Sequence, residues 1–251
     1  MTGQRAGRRA VFAATFLRDT VGVRLAGPLV PGAVLRGPHR DASGHPLLYL
    51  TLDDGPDADG TPRLLGALAA CDARAVAFLS ADRALALPDL ARLWTAGGHR
   101  AGNHGGAHRS AWAVPPGEAV REMARGERVL ESVLGEAVRD VRPPYGRVTP
   151  GLVRWVRAAG HAENGVAPRR LVLWDAMPGD YLPSADADVL AERIVRSARP
   201  GGIVVLHDGP PAARAAAALR LALPRLAAAG WRFPALPPAP LGRPALPDAR
   251  P

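Results

Sequence analysis

Two aspartates stand side by side in Leu48-Tyr49-Leu50-Thr51-Leu52-Asp53-Asp54-Gly55-Pro56, where an apolar run meets a Gly-Pro break. Neighbouring side chains of a regular strand point to opposite faces, so Asp53 and Asp54 can share a cleft only if the strand stops there. Gly55-Pro56 is a sequence that stops it. Further on, His104 and His108 are four residues apart in a Gly-rich stretch, a spacing that aims both imidazoles one way on a helical turn or tight loop. Two neutral ring nitrogens and one carboxylate, with water in the open position, form a common pattern for catalytic zinc. Taken alone the His pair is a weak sign, and two loop or core histidines explain it as well. With two carboxylates the labour divides: one binds metal, and the other takes a proton from water whose pKa the metal brings toward ~7. A separate acid must protonate the leaving group, and His207 can do so as imidazolium.

These residues need elements to carry them. From Leu47 onward short apolar runs alternate with amphipathic stretches bounded by Gly or Pro, the grammar of parallel βαβ units. Strands are expected at 47–52, 75–79, 138–141, 171–174 and 202–206. Helices are expected at 61–70, 88–96, 116–134, 150–159 (closed by Gly160), 186–198 and 212–229, with 101–108 as a Gly-rich loop. Asp53 and Asp54, Arg142, Asp175 and His207 all fall just after strands, the edge where parallel α/β folds assemble their sites. Residues 1–45 read as an irregular lead-in, 46–234 as the domain and 235–251 as a Pro-rich, poorly ordered tail.

The whole chain of 251 residues fits a single α/β domain, and 47% apolar content is ample for its core. Net charge is +9 and every basic residue is Arg, but the arginines are scattered rather than clustered or interleaved with aromatics. That is a compositional bias and not a nucleic-acid footprint. Cys71 is the single cysteine, an apolar filler that excludes an intrachain disulfide and a thiolate metal site. The apolar run Ala10 to Leu17 is cut short by Arg18-Asp19, marginal for the core of an export signal, so the expected compartment is the cytoplasm. No run reaches the ~20 apolar residues of a membrane span, so no stable membrane insertion is expected, and the expected state is a monomer. His39 and His45 read as surface-loop residues, and His99 and His161 as turn residues after helices. Trp94, Trp155 and Trp231 suit the core, whereas Trp112, Trp174 and Tyr181 offer flat faces for sugar rings; for Trp112 core and stacking both stay open.

Thr51-Leu52-Asp53-Asp54-Gly55-Pro56, His104-xxx-His108, Arg142-Pro143-Pro144-Tyr145-Gly146 and Leu206-His207-Asp208-Gly209 stand in that order between about Leu47 and Phe233. Together they resemble the motifs of polysaccharide deacetylases, the carbohydrate esterase family 4 or NodB-homology proteins. The resemblance implies a distorted (β/α) barrel of about seven parallel strands. It also implies a divalent metal, usually zinc with cobalt possible, and removal of N-acetyl or O-acetyl groups from acetylated carbohydrate. By position it makes Asp53 the base, and Asp54, His104 and His108 the metal ligands. Arg142 orients Asp53, and the Tyr145 backbone N–H serves the oxyanion. His207 becomes the acid, and Leu206 the wall for the acetyl methyl. Asp180 best matches the carboxylate that supports His207, with Asp175 the competitor. Three departures stand out: Gly105 in place of a Ser or Thr, Tyr181 in place of a groove-lining Trp, and Leu52 in place of a Phe. The family is often exported or wall-associated, in contrast to the expected compartment. Rival readings are a catalytically silent glycan-binding module and a deacetylase of a small natural-product intermediate.

Overall fold

The computed structural model describes residues 27–158, 167–182 and 185–238. The apolar run at 10–17, Gly160, His161 and the tail beyond 238 lie outside the described residues. Seven strands occur in chain order: β1 (Ala33–Val34), β2 (Leu48–Asp53), β3 (Ala75–Leu79), β4 (Arg100–Asn103), β5 (Asp140–Val141), β6 (Arg170–Val172) and β7 (Gly202–His207). Between and after them run α1 (Gly60–Ala69), α2 (Ala81–Ala86), α3 (Pro88–Ala96), α4 (Pro116–Leu134), α5 (Pro150–Ala158), α6 (Ala187–Ser197) and α7 (Ala212–Ala228). Every strand pair is parallel, in the order β1-β6-β5-β4-β3-β2-β7.

The sheet curls until the segment after β6 meets β7. Asp175 and Ala176 both donate backbone N–H to Ile203 O, and Val205 N–H donates to Ala176 O. The result is a distorted (β/α) barrel of one domain, in which β1 pairs with β6 and Arg36, two residues past it, bridges Gly202 at the start of β7.

Strand alternation sorts the core into layers. On β2 and β7, Tyr49, Ile203 and Val205 point inward and meet Val76, Phe78, Val172 and Trp174 in a cluster that contains no helix residue. Leu48, Leu50, Leu52, Val204 and Leu206 point outward and pack under Leu64, Leu68, Leu190, Leu219 and Leu223 of the helices. A third cluster joins Val141 and Leu171 to Met123, Leu152 and Val156 of α4 and α5. Because β2 faces inward at odd positions, Asp53 enters the barrel while Leu52 belongs to the helix layer.

Three elements were not expected. β1 lies in the lead-in read as irregular, and two residues are too few to show a period. α2 is a six-residue helix in the segment between β3 and α3. β4 occupies the front of the stretch read as a Gly-rich loop, where Arg-Ala-Gly-Asn lacks the apolar run of its neighbours. Gly102 is there for space, since a Cβ would lie 2.5 Å from the Phe78 ring inside the barrel. The other expected strands and helices appear with small shifts of their ends, and α4 has the bounds its stripe predicts. Asp186 caps α6 by accepting the Val189 N–H at 2.8 Å. No helix among the described residues is long and apolar enough to cross a membrane.

Candidate active site

Register brings the strand ends together. Asp53 pairs with Phe78 on one side and His207 on the other, and Asn103 pairs with Leu79 and Val141. The residues just beyond, Asp54, His104 and Arg142, therefore emerge at one edge of the barrel.

Arg142 is fully buried, and each of its nitrogens is engaged. Nε donates to Val172 O (3.1 Å), Nη2 to Leu173 O (3.1 Å), and Nη1 to Thr51 Oγ1 (2.9 Å) and Asp53 Oδ1 (2.6 Å). Its guanidinium lies 4.0 Å from the Phe78 ring centroid and 5.5 Å from that of Trp174. Burial pulls its pKa down while Asp53 opposes that, and a guanidinium keeps its charge regardless. The contacts hold Asp53 by Oδ1. Trp174 is 1% exposed beneath this cation, so it is part of the barrel floor and offers no face to a sugar, contrary to the sequence expectation. Its strand ends at Val172, and the chain then dives inward to reach β7.

Asp54 explains how adjacent carboxylates share a cleft. Its φ is +78°, so the chain turns at the strand end and Asp54 joins Asp53 at the barrel mouth. Asp54 Oδ1 lies 2.9 Å from His108 Nε2 and 3.4 Å from His104 Nε2. It is buried, yet accepts no hydrogen bond of acceptable geometry. His104 Nδ1 is 2.7 Å from the Arg142 carbonyl, which can only accept, so that nitrogen carries the proton and Nε2 is the one turned toward Asp54. Three ligand atoms within 4.8 Å of one another, with an orphaned carboxylate oxygen among them, fit a cation. Burial opposes ionisation of Asp54, but the two imidazoles override it and hold the carboxyl well below the usual range.

The loop carrying the histidines is braced by groups that sequence reasoning missed. Asn103 Oδ1 accepts the Gly105 N–H (2.8 Å), its Nδ2 donates to Met123 O (2.7 Å), and Ser80 Oγ donates to Gly106 O (2.7 Å). Gly105 has φ +84°, where a Ser or Thr would be strained, so this departure comes with its own support. His108 and Tyr145 also have positive φ, at 53° and 58°, and their rings lie 4.7 Å apart. Three of the four non-glycine residues with positive φ among the described residues thus belong to this edge.

On the opposite wall Asp180, fully buried, accepts both the His207 backbone N–H (2.7 Å) and a contact from His207 Nδ1 (2.8 Å). Burial works against charge on His207, but Asp180, with help from Asp54 and Asp53, pushes its pKa up to about 9. Asp175, the other candidate, instead pairs with Arg36 at 3.0 Å. Tyr181 stands edge-on to His207, ring centroids 5.5 Å apart. Leu206 does not face the site: alternation on β7 sends it into the helix layer, and the inward neighbour of His207 is Val205.

Asp208, next in the chain after His207, has a part that its motif did not reveal. Fully buried, it accepts the Thr61 hydroxyl at 2.6 Å, while its backbone N–H donates to Asp53 O at 2.7 Å. It therefore pins the turn after β2 from behind.

A sequence profile described as polysaccharide deacetylase matches residues 40–163. The chain is 34% identical over 179 residues to a chitooligosaccharide deacetylase of Sinorhizobium fredii, an alignment spanning 70% of this chain and 79% of that protein. It belongs to the polysaccharide deacetylase family. A peptidoglycan-N-acetylglucosamine deacetylase of Bacillus cereus, another relative, is 27% identical over 80% of this chain and 69% of its own length. Among solved structures, the Bc1960 peptidoglycan N-acetylglucosamine deacetylase superposes with a TM-score of 0.74 at 25% identity, covering 84% of this chain and 94% of that one. The family profile spans Asp53, Asp54, His104, His108, Arg142 and Tyr145, whereas Asp180 and His207 lie beyond it. For those two the contact in the structure carries the pairing.

Proposed function

We propose that this polysaccharide deacetylase hydrolyses the N-acetyl group of an N-acetylated sugar within a glycan of the chitin or peptidoglycan type, with a divalent cation, zinc by its donor set, as cofactor. The carrying observation is the convergence of three units at one barrel edge: Asp53 clamped by Arg142, the Asp54–His104–His108 cluster, and His207 backed by Asp180. The relatives named above support the substrate class.

Asp54, His104 and His108 would hold the cation, which when bound supplies Lewis acidity to water and to the acyl oxygen. Asp53 takes the proton from the attacking water. Arg142 occupies its Oδ1, which leaves Oδ2 on the side of His104, 4.0 Å from that residue's Nε2. As the acyl carbon becomes tetrahedral, the backbone N–H of Tyr145 donates to the developing oxyanion, aided by the constrained turn at that residue. The C–N bond then breaks, and the departing nitrogen takes a proton from His207, so that acetate and a free amine result. An amine is a poor leaving group without that proton, which is why a histidine kept charged by Asp180 suits amide cleavage.

The test is acetate release from chitooligosaccharides, peptidoglycan fragments and small N-acetyl compounds, with zinc or cobalt present. Release from glycan substrates, lost on chelation and lowered by 100-fold or more in Asp53→Asn, supports the reading. A protein that binds no divalent ion, or an Asp53→Asn variant as active as wild type, refutes it.

A further inference from the structure

Trp112 is 65% exposed, a large apolar area to leave in water. Exposed large hydrophobic side chains are few among the described residues, and the aromatic ones are Trp112 and Tyr145. Both sit on the two loops that follow β4 and β5, at the edge where the site lies. Trp112 is four residues beyond His108, and four residues of chain reach at most about 14 Å, a few linked sugar rings from the metal cluster. The ring is also held. Its Nε1–H donates to Val148 O at 3.1 Å, and the Arg147 guanidinium covers one face at 4.4 Å. Arg147 itself is nearly buried at 9% exposure, so the support behind the ring is fixed. A ring tethered at its edge and backed on one face presents the other to solvent at little entropic cost on binding. Packing does not require this exposure: the neighbouring Ala111 already fills the third core cluster beneath the loop.

Resting on the deacetylase reading above, we infer that Trp112 is a stacking platform for a sugar ring flanking the one that is deacetylated, which makes the preferred substrate an oligomer or polymer and not a free monosaccharide. An apolar sugar face against an indole removes area from water and gains dispersion, and the aromatic need only be flat and in place. The platform lies on the His108–Tyr145 side of the mouth, across from the His207–Tyr181 wall. A glycan spanning both would be gripped on two sides of the reacting acetamide.

The experiment compares zinc-loaded wild type, Trp112→Ala and Trp112→Phe on chitopentaose, on N-acetylglucosamine and on 4-nitrophenyl acetate. Expected for Trp112→Ala is a KM for chitopentaose raised about tenfold with kcat unchanged. Its activity on the monosaccharide and the aryl ester should stay at wild-type level, and Trp112→Phe should recover most of the loss. An unchanged chitopentaose KM, or an equal loss on all three substrates, overturns the inference, the second outcome marking Trp112 as a loop brace. Wild type that releases acetate from chitopentaose no better than from the monosaccharide also overturns it while leaving the deacetylase reading standing. Wild type that releases acetate from neither overturns the inference, and the deacetylase reading falls with it when peptidoglycan fragments are left intact as well.

Discussion

Replacing Asp180 by Asn removes one charge while keeping the shape that holds His207. The backbone N–H of His207, now 2.7 Å from Asp180 Oδ2, can still be accepted by the amide oxygen. What is lost is the carboxylate 2.8 Å from Nδ1. With the charge centres about 4 Å apart, behind the contacting atoms, two unit charges interact by about 4 kcal/mol at an effective dielectric near 20, about three pH units of proton affinity. Burial is then unopposed by its main partner, and the pKa falls from about 9 to the ordinary 6.5 or below. At pH 8 the charged fraction drops from about nine-tenths to a few in a hundred, so kcat/KM should fall about 30-fold. At pH 6 both enzymes keep most of the charge, and the deficit should shrink to within about twofold. A cation on Asp54 lowers the pKa in wild type and variant alike, so the gap between them survives metal loading while both profiles, and the pH at which they converge, move down together. The assay is acetate release from chitopentaose in zinc-loaded protein between pH 5.5 and 9.5. An alkaline limb that superimposes on wild type, or a loss independent of pH, refutes the assignment of Asp180 as the group that keeps His207 charged.

Two more predictions use the supports of the site. Gly126 of α4 leaves no space for a methyl group: a Cβ would lie 2.5 Å from Asn103 Oδ1 and 3.0 Å from the Gly105 carbonyl carbon. Gly126→Ala should push the histidine loop aside, lowering zinc affinity by about tenfold or more and stability by about 1–3 kcal/mol, read by metal titration and thermal unfolding; wild-type zinc affinity in the folded variant would sink the argument. Burial, with Asp57 adding and the Thr61 bond opposing, lifts the Asp208 pKa to about 7. The folded protein then holds this proton more tightly than the unfolded chain, so its contribution to stability is complete below the ordinary 3.8 and is lost as pH rises through 7. Denaturant unfolding should show wild type losing up to about 4 kcal/mol relative to Asp208→Asn between pH 4 and 8; parallel pH profiles would contradict it.

Much of the site was legible because chemistry marks itself in sequence. A strand that ends in Asp53-Asp54-Gly55-Pro56 must turn, and the positive φ of Asp54 is that turn. Arg142 and His207 each stood after an apolar run and His104 was marked by its spacing from His108, and the register of β2, β4, β5 and β7 delivers all three to one edge. Resolution failed where the decision belonged to three dimensions. Asp175 and Asp180 are both carboxylates a few residues past the same strand, and only the closure of 175–176 onto β7 sends one to Arg36 and leaves the other under His207. Leu206 was expected as a pocket wall from the family resemblance, and Trp174 as a flat face for a sugar ring. Neighbours along a strand face opposite ways, and the chain past β6 dives inward, so adjacency to a site residue argues against sharing its cleft unless the strand breaks between them. By that same rule Asp53 and Asp54 needed a break, whereas Leu206 and His207 have none: β7 runs through His207. Trp112 has no such strand to place it, and its exposure could be seen only once the fold had filled the core beneath it without using the indole.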